Sequence, residues 1–107
     1  MGTRDEGFEL LGELAPELLA EPGVAFGRMF GSEGLSVRGK FFAFVSSGGD
    51  LVVKLDPERI EAEGLENMVM RGRPMREWAV VPISAGLPRW REIARAAHGF
   101  VDEITPR

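Results

Sequence analysis

Apolar residues return every third or fourth position between residues 7 and 20: Phe8, Leu11, Leu14, Ala15, Leu18 and Leu19. That spacing predicts an amphipathic helix with one buried face. Pro16 removes one helical hydrogen bond, so the helix either kinks there or restarts with Pro16 in its first turn. Glu21-Pro22-Gly23 ends it. The pattern then shortens. Residues 24–30, 35–38, 41–46 and 51–55 read as strands, separated by Gly31-Ser32-Glu33-Gly34, Gly39-Lys40 and Ser47-Gly48-Gly49-Asp50. These separators have hairpin length and composition, and they leave no room for crossover helices. The four strands therefore form an antiparallel meander. Leu35 and Val37 share a face, as do Leu51, Val53 and Leu55. Residues 41–45 are apolar on both faces, which predicts a central strand covered on both sides by a further helix, a long loop or a second subunit.

Asp56-Pro57-Glu58 is a helix start: a cap, a proline for the first turn and an acid for the positive end of the dipole. The helix is short, buries Ile60 and ends near Gly64. Residues 66–77 show no clear period and read as a loop. Residues 78–83 read as a fifth strand, with Pro82 at its end or outside the ladder. The last helix runs from about Pro88 to Glu103. Leu87, Trp90, Ala94, Ala97, Val101 and Ile104 form its buried stripe, with Ile93 and Phe100 alongside. The expected fold is α+β: an antiparallel sheet of about five strands, a four-stranded meander plus one, with N-terminal, short middle and C-terminal helices.

Composition narrows the chemistry. The 107 residues make one domain, 44% hydrophobic and 28% charged, an ordinary globular balance. Cysteine is absent, which excludes disulfides, thiolate nucleophiles and sulfur-bound zinc. The lack of Cys, the acidic start and the short apolar runs fit a cytoplasmic protein with no membrane span. The net charge of −4 is unevenly spread. Residues 1–23 set Arg4 against six acids, whereas residues 68–78 hold three arginines and one acid. A local basic surface on an acidic protein is thus compatible with the sequence.

Catalytic constellations are missing. His98 is the only histidine, and its helical neighbours Arg91, Arg95 and Asp102 read as a solvated face. The glycines match neither phosphate-loop motif and read as turns and close packing. Glu6, Glu9, Glu13 and Glu17 lie at helical spacing as a solvated stripe, and no calcium-loop spacing occurs. The sequence therefore predicts no enzyme, no catalytic residues, no metal and no cofactor. The exception to the bland pattern is Met68-Val-Met-Arg-Gly-Arg-Pro-Met-Arg-Glu-Trp78. Met, Arg and Trp are enriched in interface cores, and arginines bind phosphates or carboxylates. The same residues read structurally as a loop folded over the sheet, with methionines and Trp78 filling core.

Several segments together resemble a known family. Arg28-Met29-Phe30-Gly31, Gly34-Leu35, Lys40-Phe41-Phe42-Ala43 and Leu51-Val52-Val53-Lys54-Leu55 look like the N-terminal domain of the TfoX/Sxy competence regulators. Gly72-Arg73-Pro74-Met75-Arg76-Glu77-Trp78 is similar to a later stretch of stand-alone members. The resemblance spans about residues 8–101 and extends more widely to MmcQ/YjbR-like proteins. It implies a single TfoX N-terminal-like α+β domain over 1–107, a regulatory setting and no catalytic residues. The expected function is an interaction module in transcription regulation, with a protein or DNA partner. Its expected contact residues are Arg28, Arg38, Lys40, Arg71, Arg73, Arg76 and Trp78. The two-faced strand at 41–45 points to a homodimer. The alternative is a small anionic-ligand binder, or an unrecognised enzyme, with a pocket between the sheet and loop 68–78.

Overall fold

The computed structural model describes residues 3–29 and 32–106, without the side chains of Met29 and Ser32. The order is α1 (Arg4–Leu19), β1 (Val24–Met29), β2 (Ser32–Val37), β3 (Lys40–Val45), β4 (Leu51–Lys54), α2 (Pro57–Ala62), β5 (Glu66–Met70), β6 (Arg73–Val81) and α3 (Leu87–Ile104). The strands form one antiparallel sheet in the order β1-β2-β3-β4-β6-β5. All three helices share one face of it. The α+β class and the three helices match the sequence pattern, but the sheet has six strands. The end of the first expected strand, Phe30, and Gly31 lie outside the described residues.

The additional strand comes from the segment read as a loop. Residues 66–77 hold all of β5 and the first half of β6, joined by Arg71-Gly72. Both turn residues have positive φ, 53° and 77°. That is the two-residue turn whose twist suits a hairpin. The alternation was hidden because the register is irregular: Asn67 faces Ala79 while Val69 faces Pro74. Two steps along β5 thus span five along β6, which destroys a period of two. β6 ends at Val81, and Pro82 lies outside the ladder, where its missing N–H costs nothing.

A bulge in β3 explains its two-faced composition. Ser36 pairs with Phe41 and Leu35 with Ala43, so Phe42 is an extra residue. Phe42 and Ala43 both turn toward the helices and join the main core with Leu35, Val37, Val45, Leu51 and Val53. Phe41 and Phe44 face the opposite side. No helix covers that side. Phe44 instead meets Trp78 edge-on, with centroids 5.6 Å apart. Those two rings belong to β3 and β6 and close over Val52 of the intervening β4, which is fully buried. Within the chain, aromatic side chains of the sheet itself stand where a covering helix or loop was expected. Phe41 lies across Gly27 and Gly34, and a Cβ on Gly34 would stand 2.7 Å from the Ala43 carbonyl oxygen.

The helices are held by few contacts of high specificity. α1 begins at Arg4, three residues earlier than its apolar period, because the Thr3 hydroxyl caps the Glu6 N–H at 3.2 Å. It continues through Pro16 to Leu19. In α3, Trp90, Ile93, Ala94, Ala97 and Val101 are buried, and Trp90 Nε1 donates to the Pro82 carbonyl at 3.0 Å. Ile104, assigned to the buried stripe by spacing, is 53% exposed, and the neighbouring Thr105 is buried instead. The N-terminal turn of α1 lies backbone to backbone on the β3–β4 turn. A Cβ on Gly7 would overlap the Gly49 carbonyl, and one on Gly49 would overlap the Thr3 carbonyl. Alanine in a helix interior ordinarily gains about 1 kcal/mol over glycine. Gly7→Ala is expected to reverse that sign and cost about 1–3 kcal/mol, since the obstruction is rigid backbone. Urea unfolding of the variant measures it.

Candidate nucleic-acid interface

The strands place the seven expected contact residues at different parts of the sheet. Arg28 is on the edge strand β1, opposite Glu33 of β2, and points to the α1 side. Four strand spacings separate it from β6, about 19 Å, and it lies at the other end of the strands from Arg71 and Arg73. Lys40 opens β3 and is exposed. Arg71 forms the β5–β6 turn, Arg73 follows it, and both are exposed. Arg76, also exposed, borders a concavity of about 350 Å³ with Pro57, Ile60, Glu61, Leu65 and Asn67. Trp78 is half-buried on the helix-free face, where the Lys54 ammonium sits 5.8 Å from its ring centroid.

Arg38 has a different role from the one its sequence context suggested. It occupies the β2–β3 turn with φ 48°. Its guanidinium donates to the Asp102 carboxylate at 2.7 Å and to the carbonyls of Asp102, Thr105 and Pro106 at 2.9, 2.8 and 3.2 Å. The Asp102 carbonyl is one that a helix leaves without a donor in its last turn, and Thr105 and Pro106 follow at the cap and just beyond it. Arg38 is therefore a clasp on the end of α3, with four of its five N–H donors occupied.

Five other cations are also committed to internal ion pairs. Arg59 and Arg89 converge on Glu63 at 2.6 and 2.9 Å, and Arg89 also reaches Glu92 at 2.7 Å. The hydrogen bond from Arg89, then that from Arg59, holds the Glu63 carboxyl below its ordinary range. Arg91 and Arg95 take Glu17 of α1 at 2.7 and 3.4 Å. The Arg91 hydrogen bond lowers the Glu17 pKa most. These pairs join α1 to α3 and α2 to α3, so Glu17 is not part of a merely solvated stripe. Lys54 stands 4.0 Å from Glu77.

Five cations among the described residues have no ion pair: Arg28, Lys40, Arg71, Arg73 and Arg76. Three of them belong to the β5–β6 hairpin. That hairpin outruns its neighbour, because the last β4–β6 pair is Lys54 with Trp78. Arg73 is five residues further on, about 17 Å along an extended strand. Val69 is 61% exposed and pairs with exposed Pro74. Met68, Met70 and Met75 are only half-buried, so they do not fill core as the structural reading expected.

His98 is not on a solvated face. Its ring packs edge-on against Phe42 at 5.4 Å, and Nε2 is buried without a hydrogen-bond partner. Asp102, the acid one turn away, carries the Arg38 bond instead. Among the described residues, no group of three or more His, Asp or Glu is arranged to hold a metal, and no helix is long and apolar enough to cross a membrane.

Sequence reasoning missed a second constellation, Arg4, Phe8, Phe26 and Glu33 around Arg28. The only advance signal was the i, i+4 spacing of Arg4 and Phe8, which places the guanidinium 5.4 Å from the ring centroid. No family model matches this chain, and no curated protein matches it in sequence.

Arg38→Ala is expected to lower stability by about 1.5–3 kcal/mol through the loss of charge-assisted hydrogen bonds. Arg38→Lys should not restore it, because an ammonium lacks the planar fork that spans four acceptors. Thermal melting of both variants checks this; a lysine variant as stable as the parent would show that charge alone suffices.

Proposed function

We propose that this chain is a non-catalytic interaction module that contacts a nucleic-acid backbone through the β5–β6 hairpin. One observation carries the reading: the fold consumes the other arginines of the helix layer in internal pairs and leaves Arg71, Arg73 and Arg76 unpaired on a projecting ribbon. Exposed guanidiniums are suited to phosphate, which they bind bidentately. The overall acidity does not defeat the reading. At physiological ionic strength the Debye length is about 8 Å, shorter than the hairpin's projection, so the acids of α1 are screened from a phosphate at its tip.

The resemblance to the TfoX N-terminal domain supports a regulatory setting in the cytoplasm. Burial of His98 Nε2 beside Phe42 supports the non-catalytic part, since the sequence's single imidazole is packed against the core. The anionic-ligand alternative is not favoured beside the hairpin. The concavity there joins Arg76 to the carboxylate of Glu61, and the other hairpin arginines stand outside it.

Fluorescence anisotropy with labelled duplex and single-stranded DNA tests the proposal. Three phosphate contacts predict a log–log salt slope of about −2.7 on duplex, roughly a 40-fold loss of affinity between about 50 and 200 mM salt. The double variant Arg71→Ala/Arg73→Ala is expected to remove about two-thirds of that slope while melting like the parent. No binding at the lower salt, or binding indifferent to salt, would refute the proposal.

A further inference from the structure

At the opposite end and edge of the sheet, a cleft of about 430 Å³ opens between the first half of α1 and the β1–β2 hairpin. That volume lies within the range of small-molecule sites. Phe8 of α1 lines one wall and Phe26 of β1 the other, and Arg4, Arg28 and Glu33 stand around them. Phe26 is 47% exposed on an edge strand, where packing does not call for a phenyl ring. Gly12 completes the α1 wall, and a Cβ there would meet nothing within 4 Å. Packing therefore does not require glycine, and its absent side chain leaves that wall bare.

The lining combines three chemistries. Phenyl faces accept a planar ring by stacking. Guanidiniums bind a phosphate by paired N–H donors. A carboxylate only accepts, and its two oxygens match a pair of N–H donors on one edge of a ring. Arg28 and Glu33 sit at facing register positions of β1 and β2 without an ion pair between them, so neither consumes the other. A simple anion would meet repulsion from Glu33, and a simple cation would meet it from Arg4 and Arg28. A ligand that has both a donor-bearing planar ring and a separate anionic group satisfies all of them.

We infer that this cleft binds a purine mononucleotide of the guanine type: the base lies between Phe8 and Phe26, Glu33 accepts its paired N–H donors, and Arg28 holds the phosphate. The inference is independent of the hairpin, which lies at the far edge of the sheet.

Isothermal titration of the full chain with GMP, guanosine and ribose 5-phosphate tests it. GMP is expected to bind with a Kd of about 0.1 mM, guanosine at least about tenfold more weakly, and ribose 5-phosphate more weakly still. Phe26→Ala should abolish GMP binding. Arg28→Ala should bring GMP down to the affinity of guanosine and leave guanosine unchanged. Both side chains are exposed, so both variants should melt like the parent. Absence of heat with millimolar GMP overturns the inference. So does GMP binding that survives both substitutions, or that disappears in Arg71→Ala/Arg73→Ala.

Discussion

Trp90, Ile93, Ala94, Ala97 and Val101 bury one side of α3 in the core it shares with Phe42, Leu51 and Val53 of the central strands. Arg38 fastens the last turn of this helix to the β2–β3 turn, and Trp90 fastens its first turn to the end of β6. The other two helices are placed relative to this one. Glu17 of α1 takes Arg91 and Arg95 of α3, and Glu63 beside α2 takes Arg89. A single helix layer on one face of one sheet is the result, and it decides which charges remain available. The arginines of α2 and α3 in that layer are structural, whereas those on the strands that outrun it have no ion pair.

The same one-sided packing shapes the rest of the sheet. With no helix on the second face, the large side chains there must cover one another, and Phe44 and Trp78 do so across Val52. The β3 bulge sends two consecutive residues to the helix side and keeps Phe41 and Phe44 on the other. At the edges, β1 and β5 keep open ladders. The hairpin at one edge carries unpaired guanidiniums, and the cleft at the other combines rings with opposite charges. The two proposed contact regions are thus the places where the helix layer stops.

The helices and the first four strands were legible from apolar spacing and chemical stops, with Asp56 as a cap and Gly39 at positive φ in a hairpin turn; the Thr3 cap of α1 and the start of β2 at Ser32, inside the segment read as a turn, were not. The β5–β6 hairpin was not, because its register slips between Asn67 and Val69 and its turn uses Arg71 where Asn or Asp is the usual signal. Of the expected contact residues, the hairpin arginines stood out by local composition, and the structure leaves them exposed. The bonds of Arg38 to the end of α3 were not legible because the carbonyls it binds are more than 60 residues away. The cleft was invisible for the same reason: nothing local in the sequence brings Phe8 to Phe26.

The partition of the arginines into committed and available sets is the central claim. Amide chemical-shift mapping of the isotopically labelled chain, titrated with a short DNA duplex at low salt, addresses it residue by residue. The account predicts shifts concentrated at Arg71–Arg76, with the amides of Arg38, Arg89, Arg91 and Arg95 unmoved. Shifts centred on the α3 arginines, with the hairpin silent, would contradict it.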